Sequence, residues 1–514
     1  MVRLAGWITG EQVPEDIIRE ALEAMGTVLG RHGTEPTYSI TPGAGLLTCV
    51  DPAYAAPQRH EPPLLDWVPE HRTLTYRRPL NGQHVLYFLQ DWPAQGNLVF
   101  ASEIKALLAL NPPRRLNLAA LAALQHYGFL PAPLTAFRDI QVVPAGALLR
   151  WQRGKVVLNR TSDLLPKELA EVPLEELYDQ LQQATTEYLS PELLPVGLGS
   201  GGSASTLAIA LAAHLRPFTV ASIGWKKHGP EWQIAEQVAE ACGLPWLAVG
   251  RVDHPDYWAA TIASLESPCV DDTALTLHQL LHTAAVETQA RIALSGLGAR
   301  LLLGEPKRPT KSNGTHSENL FSYYKKQLGM TTGSLWTQDA TRMLEAETAW
   351  EETLYARKLE RAAGKLDDPT AYLELHMRLP DQVVTPAQHL ASQEQMALRS
   401  PYLHPHVMPL LVQLSQKTQA YTQRDHPFAH LVRKHVAKGL EARSSLSLHG
   451  PVTTPENLEL VYDLIGPAAL RQTGLFDPEA LKAILKRPQT EEHRRKLLLV
   501  FTTQLFLRIF HVSI

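Results

Sequence analysis

The stretch Val196-Gly197-Leu198-Gly199-Ser200-Gly201-Gly202-Ser203-Ala204-Ser205 decides how this chain is read. Its first four residues form an apolar run of the length of a buried strand, and Ser200-Gly201-Gly202 closes that run. The alanine- and leucine-rich segment Ser205–His214 then continues as a helix. A strand, a glycine turn and a helix in that order bring free helix amides, serine hydroxyls and the positive end of a helix dipole to one place. Such a place suits an anion. A tight turn there also serves packing alone, so a folding turn and an anion cradle are both open readings, with the folding turn ranked first.

Working outward, the pattern repeats. Phe218–Ile223 reads as a strand, Trp232–Cys242 as a helix, Trp246–Val252 as a third strand and Ala290–Leu294 as a fourth that ends at Ser295-Gly296. Strands alternating with helices predict a doubly wound parallel sheet, hence an α/β fold. Upstream, Leu174, Leu177, Tyr178, Leu181, Ala184 and Tyr188 make a helical stripe. Downstream, Leu320 to Ile514 is mainly helical by periodicity, and its last helix, Arg494–Phe510, carries an apolar stripe for docking. Before residue 160 the texture is different. Leu46–Val50, Thr73–Tyr76, His84–Leu89, Asn97–Phe100 and Ala147–Gln152 are short apolar runs between turn residues, which predict a β-rich domain. Arg160–Pro173 has the composition of a linker, and Glu305–Ser317, with Lys307, Arg308 and Lys311, that of an exposed solubilising loop.

Composition limits the function classes. The 514 residues are 45% hydrophobic and 19% charged, which supplies material for two large cores and excludes global disorder. A net charge of −4 gives no footprint for nucleic acid. No apolar run reaches the 18 residues or so of a membrane span, and no signal peptide opens the chain. The three cysteines, Cys49, Cys242 and Cys269, form neither a metal motif nor a disulfide framework. A cytoplasmic protein is expected.

The ordered motifs resemble the asparagine synthetase family, with its β-lactam synthetase and lasso-peptide cyclase relatives. The loop at 200–205 is similar to that family's SGG-x-D-S pyrophosphate loop, and Phe100-Ala101-Ser102-Glu103-Ile104-Lys105-Ala106-Leu107-Leu108 to its FASE-x-KALL segment. Gly82–Tyr87, Tyr127-Gly128-Phe129 with Pro131, Pro144-Ala145-Gly146, Ser295-Gly296-Leu297-Gly298-Ala299 and Pro401-Tyr402-Leu403 follow the family order. The resemblance implies a truncated glutaminase-like sandwich of the N-terminal-nucleophile type over 1–165. It implies an ATP-pyrophosphatase domain with a helical C-terminal part over 174–514. A working member hydrolyses glutamine at an N-terminal cysteine, activates a carboxylate with Mg-ATP and forms an amide. The length and the loop near residue 200 look more like the cyclase branch.

The residues that would do this work are replaced. The nucleophile position holds Val2, which offers neither a nucleophile nor a base, and the central NG-containing segment that would hold glutamine is missing. The aspartate of SGG-x-D-S is Ala204, and the acidic places after SG-x-GA are Arg300 and Leu301. A magnesium ion needs oxygen ligands, which none of these supplies. Leu297 stands at a position often acidic, His404 replaces the aspartate of the P-F-L-D turn, and Gln388 and Ala397 replace an Asp and a Glu on the helix before it. Where relatives place a late lysine, Arg443 is followed by Ser445. Losing one such charge commonly slows a reaction by about 10²–10⁴.

The expectation is therefore a degenerate member without glutaminase or synthetase chemistry. It acts as a scaffold for a protein or peptide partner, an active paralogue being one candidate, and it forms a homo- or hetero-dimer. No cofactor is expected. The alternatives are a nucleotide sensor and an ATP-dependent amide ligase with an atypical site. The sensor would hold ATP or AMP without magnesium on Ser200, Gly201, Gly202, Ser203, Ser205, Ser295 and Gly296, with Arg300 in place of the metal charge. Three histidine groups carry bland readings. His278 and His282, four apart on a helix starting near Asp272, lack a third metal ligand, and His404 and His406 suit hydrogen bonding. His426, His430 and His435, near Arg433 and Lys434, read as a solvated face. Cys49 sits in an apolar run and reads as buried.

Overall fold

A computed structural model describes residues 2–10, 13–30, 34–50, 64–160, 172–224, 230–303, 321–322, 325–326, 329–330, 335–364, 369–417, 426–437, 440, 458–485 and 490–514. The linker of 160–173 is thus described only at its ends, and the basic loop of 305–317 with Arg443 and Ser445 lies outside the described residues.

The first 160 residues contain two antiparallel sheets. One runs in the order β2 (Thr37–Thr41), β3 (Ala44–Val50), β1 (Val2–Ile8), β7 (Leu98–Ala101), β6 (Tyr87–Gln90), β8 (Gln141–Val142). The other runs β10 (Lys155–Arg160), β9 (Ala147–Gln152), β5 (Thr73–Arg77), β4 (Leu65–Val68). Strand periodicity of two splits β1 between two cores. Leu4 and Ile8 join Phe88, Phe100, Leu74, Leu149 and Trp151 between the sheets, while Ala5 and Trp7 face a helical layer. That layer holds α1 (Glu15–Leu29), α2 (Ile104–Leu108), α3 (Leu118–Tyr127) and the C-terminal helix Glu491–Phe510. The docking predicted for the last helix thus lands on the N-terminal domain, where Phe506 and Phe510 meet Phe137 edge-on. The strand expected at 84–89 begins only at Tyr87, because His84 adopts a left-handed φ of 50° and breaks extended geometry.

The second part is α/β as expected, beginning with α4 (Leu174–Tyr188). Its parallel sheet has the order β13 (Trp246–Gly250), β12 (Thr219–Gly224), β11 (Pro195–Leu198), β14 (Ile292–Leu294), β15 (Ala397–Arg399). Apolar clusters cover both faces. α5 (Ser203–Ala213), α6 (Pro230–Ala241), α7 (Pro255–Leu265) and α8 (Thr273–Thr288) supply the crossovers. The chain reverses its direction of winding between β11 and β14. Open parallel sheets carry their crevice at that point, outside the carboxyl ends of the two strands. Both glycine-bearing loops, 199–202 and 295–298, leave the sheet there.

Candidate functional site

The loop after β11 is built by backbone geometry. Gly201 takes a φ of 75°, a left-handed conformation that favours glycine, and this turns the chain so that α5 starts at Ser203. Gly202 caps α5 and has no side chain to accept from the first-turn amides. Ser200 is exposed at the mouth, whereas Ser203 and Ser205 are buried. Ser200 Oγ and Ser205 Oγ lie 2.9 Å apart, and Ser205 Oγ also donates to the Gly202 carbonyl at 2.9 Å. Those two hydroxyls therefore hold the turn itself.

The loop after β14 closes on this turn from the side. A Cβ on Gly296 would sit 2.6 Å from Ser205 N and 2.9 Å from the Ala204 carbonyl carbon, so only a residue without a side chain fits. Ser295 Oγ accepts from Leu297 N at 3.1 Å and is used within its own loop. The turn at 401–403 ties the two loops together: Tyr402 OH donates to the Ala204 carbonyl at 2.7 Å, and Ser400 Oγ donates to the Leu297 carbonyl at 2.7 Å. Arg300 and Leu301 lie on α9 (Ala299–Leu303), with Arg300 exposed and Leu301 packed on the apolar core. The two loops named in the sequence thus meet at one junction, at the carboxyl ends of β11 and β14. Ala204 and Gly296 stand face to face within it, and Val2 lies apart as the first residue of β1. Among the described residues no three His, Cys, Asp or Glu side chains gather as they would around a metal ion.

Several expectations need correction. Ala397 belongs to no helix: it opens β15, a three-residue strand whose backbone pairs with Ile292. Gln388 does lie on a helix, α10 (Thr385–Gln393), and its amide nitrogen donates to the Leu398 carbonyl at 3.1 Å. His404 takes the hydrogen-bonded role expected of it. Its Nε2 is 3.0 Å from Glu187 Oε2, and burial holds its imidazole below the ordinary range. His278 and His282 share one carboxylate, Glu394, at 3.1 and 3.0 Å, which gives them a structural partner from the end of α10. The face of 426–435 is not uniformly solvated. His435 stacks on Tyr178 at 3.8 Å between ring centres, and burial with the charge of Arg300 lowers the pKa of His426. His430 is exposed as read. Cys49 is buried, and that burial pushes its thiol pKa up.

A polar cluster between the two parts of the chain escaped the sequence reading. Arg3 is buried, and it donates to the Leu29 carbonyl at 3.0 Å and to Ser392 Oγ at 3.2 Å while its Nε stands 3.5 Å from Glu103. Glu266 accepts from the amides of Ile104 and Lys105, each at 2.7 Å, and so caps α2 from 160 residues away. Burial pushes the Glu266 carboxyl up to about 7, with the Lys105 charge opposing. Beside it, burial brings the His389 imidazole down to about 4, and its ring faces Tyr87 edge-on. Arg78 donates to the Val143 and Gly82 carbonyls and to Thr385 Oγ1, near Asp381, whose carboxyl burial raises to about 6. No local pattern announces such pairs.

The sequence matches the asparagine synthase family over residues 176–508 and the glutamine amidotransferase domain over residues 65–161. No curated protein matches the chain. No helix among the described residues is long and apolar enough to cross a membrane. The first match covers the parallel sheet, both loops and most of the helical C-terminal part, well over half the chain, and the second falls within the antiparallel sandwich. The chain therefore belongs to the asparagine synthase family of ATP-dependent amidotransferases.

Proposed function

We propose that this chain is a family member without adenylation or glutaminase chemistry, serving in the cytoplasm as a scaffold for a protein or peptide partner. One observation carries the reading: the crevice at β11 and β14 offers Ala204, Arg300 and Leu301 where a metal-bound triphosphate would need carboxylates. An arginine can pair with a phosphate but cannot ligate magnesium. Val2 at the start of β1 supports the same reading for the glutaminase half, since its side chain has nothing to ionise. On this reading residues 1–165 and 174–514 persist as a two-domain frame, and the partner is an active paralogue or a peptide, met in a homo- or hetero-dimer without nucleic acid. No cofactor is required.

A second reading rests on the uncapped start of α5. The amides there can hold ATP or AMP without magnesium, with Arg300 offsetting the phosphate charge. Calorimetry with ATP and with AMP, with and without Mg²⁺, separates the two readings, and ATP–pyrophosphate exchange tests turnover. The scaffold predicts neither binding nor exchange. Magnesium-independent binding without exchange supports the sensor, whereas exchange by the wild-type chain overturns both.

A further inference from the structure

The stretch Pro36-Thr37-Tyr38-Ser39-Ile40-Thr41-Pro42 is symmetric in residue type about Ser39. Proline answers proline across that centre, threonine answers threonine, and Tyr38 answers Ile40. These residues are β2 with a proline at each end, and β2 is the outermost strand of the six-stranded sheet.

The phase of its hydrogen bonds follows from its neighbour. Thr9 N donates to the Gly43 carbonyl at 2.9 Å, so Gly43, Gly45 and Leu47 turn their backbone polar groups toward β1. Ala44, Leu46 and Thr48 then bond their β2 partners Thr41, Ser39 and Thr37. The N–H and C=O groups of Tyr38 and Ile40 point the other way, off the sheet. Among the described residues no other element bonds them. Thr37, Tyr38 and Ser39 are exposed. Natural edges are commonly blunted by a charge, a proline or a bulge within the strand, and Thr37–Thr41 carries none of these.

A second β2, turned antiparallel about Ser39, matches this edge. Tyr38 of one copy then lies opposite Ile40 of the other, and each such pair exchanges both its N–H···O bonds. An aromatic residue opposite a β-branched one is a favourable cross-strand pair. Ser39 meets Ser39 at the non-hydrogen-bonded position, where Cα atoms stand about 4.5 Å apart. Pro36 falls opposite Pro42, where the ladder would next need an N–H from each, and neither has one.

We propose that the free edge of β2 pairs with β2 of a second copy of this chain, antiparallel about Ser39, and joins two six-stranded sheets into one. A ladder this short buries less than the roughly 1,200 Å² at which stable interfaces begin, so the homodimer is a weak one. It uses neither loop of the crevice, so its failure would leave the functional reading above standing.

Sedimentation velocity of the full chain, loaded over about 5–500 µM, reads weak association of this kind. The sedimenting mass is expected to rise toward twice that of the monomer across the range. Ser39→Lys and Ser39→Glu each set like charges against one another at the two-fold axis, and each alone should weaken association about 3–10-fold. An equimolar mixture of the two should associate at least as tightly as wild type, because lysine then faces glutamate. Ser39 is exposed, and circular dichroism with the unfolding midpoint reports whether both variants keep the fold. A wild-type chain that stays monomeric throughout overturns the proposal and leaves the edge to a strand of another protein. Association that both folded variants leave unchanged overturns it too, since the copies then meet elsewhere. So does a mixture no tighter than either variant alone.

Discussion

Gly296→Ala places a methyl group at the contact on which the crevice closes. An ideal Cβ there meets Ser205 N at 2.6 Å, the Ala204 carbonyl carbon at 2.9 Å and the Ala204 Cβ at 3.1 Å. Two of these are backbone atoms and the third is a methyl fixed to backbone, so no rotamer change relieves the overlap. The end of β14 must move away from the first turn of α5. Overpacking of this kind costs about 1–3 kcal/mol. The control is Gly250→Ala at the end of β13, where nothing lies within 4 Å of the added Cβ. Both substitutions gain the same roughly 0.4–1 kcal/mol from a stiffer unfolded chain, so the difference between them isolates the contact. Urea unfolding at constant m reads that difference as a shift in midpoint, and each kcal/mol corresponds to roughly 2–4 °C in thermal unfolding for a domain of this size. If Gly296→Ala is as stable as Gly250→Ala, the loops are not in contact as described, and the account of the crevice fails.

Other outcomes follow from the interdomain cluster and the turn at Tyr402. The folded-state pKa of Glu266 is raised to about 7 from an unfolded value of 4.5, so its penalty is absent below pH 4.5 and complete above pH 7. Glu266→Gln should therefore gain on wild type as pH rises across that window. Urea midpoints at pH 5 and 8 measure the gain, and a gap that narrows with pH contradicts it. Arg3→Ala removes the bonds to the Leu29 carbonyl and Ser392 Oγ from a buried site and should cost about 1–3 kcal/mol, whereas surface Arg150→Ala should cost under about 0.5 kcal/mol. Equal unfolding midpoints for these two would remove Arg3 from the interface. Tyr402→Phe deletes the bond to the Ala204 carbonyl and should lower stability by about 0.5–1.5 kcal/mol; no change in denaturant midpoint would mean the turn does not hold the loop.

Much of the second domain could be read because its signals are local. Val196 to Ser205 states strand, turn and helix within ten residues, and Ser295-Gly296 repeats the strand-to-turn step. Backbone preference acts over that range, so the loop and the parallel sheet were legible. β15 was not, since three residues carry too little periodicity and its pairing with β14 is supplied by a neighbour more than 100 residues away. The same limit explained the histidines: nothing near His278 and His282 announces Glu394, and nothing near Tyr178 announces His435.

What residue order settled, then, was where most elements form and where the two glycine loops turn, because both depend on side chains and backbone conformations close in the chain. Packing alone settled where Gly296 stops against α5, that Glu266 caps α2, and that the Trp336 indole holds the Gln125 amide. Each of those is a contact between segments more than 80 residues apart. Its energy comes from desolvation and close approach in the folded chain, and neither exists until the domains have met.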